Sequence, residues 1–143
     1  MLGPEKSARF QQYMETRMSR MRVDQLRTQL AGADALREDQ AEPLITALHG
    51  EYARMQEDVR AYREQLSPQD ATPDSRQKFN ERELEFQKAT YERMLSAAGP
   101  ILSSTQLEKL DAMLKRDLER YEAQERMQRL EAKLTSSKTT NAD

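Results

Sequence analysis

Eight apolar residues of this chain, Ala41, Leu44, Leu48, Tyr52, Met55, Val59, Tyr62 and Leu66, recur at steps of three or four. That step is the signature of a helix with one apolar stripe, and it cannot be laid onto a strand, whose faces alternate every second residue. The same period runs through most of the remaining sequence, so the chain is read as all-α, with four long helices in a hairpin arrangement. The first run covers residues 5–31, opening behind Pro4 and broken by "AGAD". The second covers about 40–66, the third about 75–98, and the fourth 103–134. "SPQDATPDS" (67–75) reads as a solvated connector, Gly99-Pro100 as a stop, and "TSSKTTNAD" (135–143) as a disordered tail, leaving one helical domain over 1–134.

Two helix starts stand out. At the fourth run, Leu102 precedes Ser103 at the N-cap, Gln106 follows at the third helical position and Leu107 at the fourth, which is a capping box with a hydrophobic staple. A looser version lies at "LREDQ", Leu36 to Gln40. There Arg37 as cap would put Pro43 at the sixth helical position. Asp39 as cap, with Glu42 closing a D-x-x-E box, would bring Pro43 nearer the first turn, where its missing N–H matters less.

Projected at about 100° per residue, the first run changes face. Phe10, Met14, Met18 and Met21 share one side, while Val23, Leu26 and Leu30 lie roughly opposite. The fourth run does the same, its stripe Leu107, Leu110, Leu114, Leu118 and Tyr121 giving way to Met127, Leu130 and Leu134. The third has Phe79 and Phe86 on one side and Leu84, Tyr91, Leu95 and Ala98 on another. These are more apolar faces than a simple hairpin covers. A homodimer would bury the surplus against a second copy, and a compact monomeric four-helix bundle is the alternative.

Residues 1–35 carry six basic and four acidic groups, in a chain of net charge −2. Lys6, Arg9, Arg17, Arg20 and Arg27, with Tyr13 among them, form a basic strip beside the Met side of the first run. The strip reads either as a solvated face flanking a core or dimer contact, or as a client-binding surface of Phe10, Met14, Arg17, Met18, Arg20 and Met21. In the second case thioethers would repack around varied apolar shapes and arginines would attract acidic, unfolded segments. The slight overall acidity argues against a nucleic-acid partner, and no apolar run is long enough to insert in a membrane.

The absence of cysteine removes disulfides and thiolate chemistry. No nucleophile with a recognisable base and no phosphate-cradling glycine loop is present, so neither an enzyme nor a cofactor is expected. His49 is the one imidazole, and the positions a turn away, Ile45, Thr46, Tyr52 and Ala53, offer no carboxylate, imidazole or thioether. A metal at His49 would need ligands from a second copy.

"LREDQ" and "LSSTQ" both fit Leu-x-x-x-Gln, 66 residues apart, each opening a long charged helix. On these residues the chain resembles the twin-LTxxQ Spy/CpxP family of periplasmic proteins, over roughly residues 5–134. The resemblance implies a thin, curved, antiparallel homodimer in the periplasm, acting as an ATP-independent holdase for unfolded proteins, often under envelope stress. A secretion signal, which "MLGPEKSARF" does not contain, would then have been removed. Leu36, Gln40, Leu102, Ser103 and Gln106 carry over as structural residues that fix the helix starts. Arg37 departs from the family's Thr, and Ser103 replaces Thr conservatively. A second branch of similar proteins senses heavy metals, which implies a metal-responsive sensor as the alternative; a helical adaptor for one specific partner is a third reading.

Overall fold

A computed structural model of the chain describes residues 3–66 and 72–141. Five α-helices and one short 3₁₀ turn account for nearly all of them, with no strand among the described residues. The helices are α1 (Pro4–Glu15), α2 (Arg17–Thr28), α3 (Glu38–Gln65), α4 (Pro73–Ala98) and α5 (Ser104–Asn141).

The expected first helix is two helices because of Thr16. Its hydroxyl turns back onto the chain, donating to the Gln12 carbonyl at 2.9 Å, and it accepts from Arg20 Nε at 3.0 Å. At Thr16 the backbone itself leaves the helical region for φ −91°, ψ 3°, which parts α1 from α2. The backbone ladder persists through the bend, with Thr16 N–H on Gln12 O at 3.0 Å and Arg20 N–H on Thr16 O at 2.9 Å. The result is a kink, which apolar periodicity does not register.

After α2, Gly32 takes φ +61°, the left-handed region that a side chain disfavours, and opens the 3₁₀ turn Gly32–Asp34. The next helix is capped at Arg37, not at Asp39, which lies inside the first turn of α3. Pro43 is therefore an interior proline. It deprives the Asp39 carbonyl of its helical donor, but both residues are exposed, so water can serve that oxygen.

The expected connector at 67–75 falls largely on 67–71, outside the described residues. Its end belongs to α4, where Thr72 Oγ1 accepts from the Ser75 N–H at 3.2 Å and Pro73 occupies the first turn. Between α4 and α5, the Ile101 and Leu102 N–H groups both close onto the Ala98 carbonyl at 3.0 Å. α5 does not stop at Leu134 but runs on to Asn141, since no glycine or proline interrupts that stretch. Of the expected disordered tail, only 142–143 lie outside the described residues.

α4 touches both α3 and α5, and α2 packs on α3 and α5. Glu51–Arg93 and Tyr62–Phe79 pair α3 with α4 in opposite chain directions, as Lys88–Glu122 and Glu81–Arg129 pair α4 with α5. The tightest packing gathers Val23 and Leu26 of α2, Leu44 and Leu48 of α3, Met94 and Ala98 of α4, and Leu110 and Leu114 of α5, all at most 1% exposed. Each large apolar side chain buried there stabilises the fold by roughly 1.5–3 kcal/mol. Ile45 and Met113 are buried beside the expected stripes. The aromatic group Tyr62, Phe79 and Phe86, with ring centroids 5.7 and 6.2 Å apart, holds α3 to α4 away from that core.

Candidate functional site

The two Leu-x-x-x-Gln segments form one joint. Ser103 and Gln106 make the full capping box: Gln106 N–H donates to Ser103 Oγ at 3.2 Å and Ser103 N–H to Gln106 Oε1 at 3.0 Å. At the other start Gln40 Oε1 accepts from the Arg37 N–H at 3.0 Å. A guanidinium has no acceptor to return, so half the box forms there and the Gln40 N–H falls back on the Arg37 carbonyl at 3.0 Å.

The two caps then bind each other. Gln40 Nε2 donates to Gln106 Oε1 at 2.8 Å and Gln106 Nε2 to Gln40 Oε1 at 3.2 Å. The remaining N–H of each amide serves a carbonyl before the opposite helix: Gln40 reaches Ile101 O at 3.0 Å, and Gln106 reaches Asp34 O at 3.1 Å and Ala35 O at 3.3 Å. Both amides are thus saturated while only 5% and 3% exposed, as buried polar groups must be. Leu36 and Leu102, buried one residue before each cap, close the joint on its apolar side. This joint fixes the starts of α3 and α5 against each other.

Those outer faces are open. Phe10, Met14, Met18 and Met21 are 58, 46, 58 and 51% exposed, whereas Val23, Leu26 and Leu30, on the opposite side, enter the core. No residue of α1 is buried. Met127, Leu130 and Leu134 on distal α5 are also exposed. The two basic members of the expected client surface differ. Arg17 is exposed. Arg20 is committed within the chain, donating to Thr16 at the kink, pairing with Glu42 at 2.9 Å and lying 5.5 Å from the Tyr13 ring centroid. Its contacts tie the α1–α2 junction to α3.

Of the six expected residues, Met18 and Met21 are brought to a groove that the sequence did not disclose. One cavity of about 440 Å³ lies among α2, α3, α4 and α5 over Met55, Thr90 and Met94. A second, of about 270 Å³, lies between α2 and α5. Phe10, Met14, Arg17 and Arg20 do not line either. Between the cavities Arg22 stacks 5.2 Å from the Tyr91 ring centroid. Burial pushes the Tyr91 phenol above its ordinary 10.0, while the neighbouring Arg22 charge pulls the other way. The available signal for Arg22 was its position one turn after Met18.

No group of three or more metal-ligating side chains comes together among the described residues. His49 is half-buried, and its Nδ1 has no hydrogen-bond partner among them. Comparison with known protein families, curated proteins and solved structures finds no match to this chain. The fold and the site therefore define an all-α protein whose core is closed by a buried glutamine pair and whose apolar rows on α1–α2 and distal α5 are uncovered.

Proposed function

We propose that this chain is an ATP-independent holdase of Spy/CpxP type, sheltering unfolded or aggregation-prone proteins in the periplasm under envelope stress. One observation carries the reading: Phe10, Met14, Met18 and Met21 form an exposed apolar row on helices whose fold is held by a different set of residues. A side chain needed for the core would be hidden, and scattered exposed apolar residues would not line up at helical spacing. Unbranched methionines adapt to varied apolar partners, which suits a surface with no single client. The linked Leu-x-x-x-Gln segments support grouping the two motifs as one device.

In this reading two copies pair as a thin, curved, antiparallel dimer of helical hairpins. The distal α5 face of Met127, Leu130 and Leu134 supplies the contact between copies, and the α1–α2 face stays open to clients. The test is light scattering by an unrelated, heat-denaturing enzyme with this protein and no nucleotide. Suppression by the wild type, lost in Met14→Ser/Met18→Ser at unchanged solution mass, supports the reading. A halved mass in that variant assigns the methionines to the dimer contact instead, and scattering unaffected by the wild type refutes the holdase.

A further inference from the structure

The two cavities of about 440 and 270 Å³ share Met18, Arg22 and Tyr121 as lining, so they are lobes of one groove with a guanidinium at the junction. The larger lobe presents Tyr52 and Val59 above buried Met55 and Met94; the smaller presents Met21. Charge along the groove is net positive. Arg22, Arg60, Arg63 and Arg120 line it against Glu83 and Asp117, in a chain whose net charge is −2.

Arg22 at the junction is loosely held. Its Nη1 donates to Met94 Sδ, and its Nη2 donates to Tyr91 Oη and Asp117 Oδ2, each at 3.4 Å. A well-formed guanidinium–carboxylate contact is about 2.7–2.9 Å and is often bidentate. Its side chain is 20% exposed, so the fork is partly desolvated and reachable, and the Asp117 carboxylate holds it only at 3.4 Å. An incoming carboxylate gains more here than at a fully hydrated surface arginine.

We infer that this groove is a peptide subsite that reads an acidic side chain flanked by apolar ones. The carboxylate takes Arg22, and the neighbours two positions away on each side enter the two lobes. In an extended segment those neighbours stand on the same face, about 6.6 Å from the acidic residue, so one strand spans both lobes. A lysine at the central position meets the arginine fork and is repelled. The inference rests on the holdase reading, in that it names which stretches of an unfolded protein are held.

The experiment is fluorescence anisotropy of the full chain with three labelled peptides that carry phenylalanines at alternate positions around a central Glu, Gln or Lys. The wild type is expected to bind the Glu peptide about tenfold tighter than the Gln twin, a difference of about 1.4 kcal/mol, with the Lys twin weakest. Arg22→Gln levels Glu and Gln, while Arg126→Gln, the same charge change outside both cavities, keeps the preference. Asp117→Asn, which removes the internal competitor, raises affinity for the Glu peptide several-fold, a gain that a purely structural Arg22–Asp117 pair would not give. Circular dichroism confirms that each variant is folded.

Equal affinities in the wild type, a preference that survives Arg22→Gln, or a loss on Asp117→Asn overturns the inference. Aggregation assays on the same samples separate it from the holdase reading. Suppression without charge preference removes the groove and keeps the holdase; charge preference without suppression does the reverse.

Discussion

Gln40 and Gln106 each cap a helix and bind the other, so neither amide can lose its partner without leaving buried groups unpaired. Gln40→Leu and Gln106→Leu are each expected to destabilise the fold by about 2–3 kcal/mol. The double variant should cost clearly less than the sum, with a coupling of about 1 kcal/mol or more in urea denaturation. Ser103→Ala should cost about 1 kcal/mol, whereas Arg37→Ser, which supplies the acceptor the first cap lacks, should gain about 0.5–1 kcal/mol. The exposed Arg37–Asp39 pair given up in exchange contributes little. Tyr91 makes stability fall at alkaline pH. Its phenol titrates higher in the folded chain than its unfolded value of 10.0, so its share of stability is intact below pH 10 and is lost as pH rises through the folded value. Tyr91→Phe should flatten that decline in denaturation curves measured from pH 9 upward. The Ser103–Gln106 box was legible in the sequence because its partners are three residues apart. The Gln40–Gln106 pair was not, because nothing local specifies a contact across 66 residues. Arg22 escaped for the same reason, its partners Tyr91 and Asp117 lying on other helices.

Periodicity located the helices and told their faces apart, since burial follows the 3.6-residue turn. Val23, Leu26 and Leu30 went inward and Phe10, Met14, Met18 and Met21 outward, as their angles on the wheel require. Helix ends were less legible because they depend on single hydrogen bonds. The backbone turn at Thr16 divides one expected helix into two, and the lack of a breaker carries α5 past Leu134. α1 is 12 residues long with none buried, which is marginal for a helix without tertiary support. Its amides should exchange with deuterium far faster than those of α2 in a hydrogen-exchange time course. Deleting residues 1–15 should change folding stability by less than about 1 kcal/mol while weakening aggregation suppression.

The chain closes one core yet leaves two apolar rows uncovered, on α1–α2 and on distal α5. The surplus faces of the first and fourth runs were legible from the sequence, whereas Phe79 and Phe86 of the third pack on Tyr62 within the chain, and which open face meets a second copy is not encoded in any local pattern. If distal α5 is the contact between copies, sedimentation should give twice the chain mass of 16.6 kDa, and Leu130→Asp/Leu134→Asp should return it to one. The most direct test of the client face uses the methionines themselves as reporters, through ¹³C-methyl resonances recorded while an unfolded protein is added without nucleotide. Met14, Met18 and Met21 should shift or broaden while buried Met113 stays in place; if those three are unmoved at saturating client, the α1–α2 face is not where clients bind.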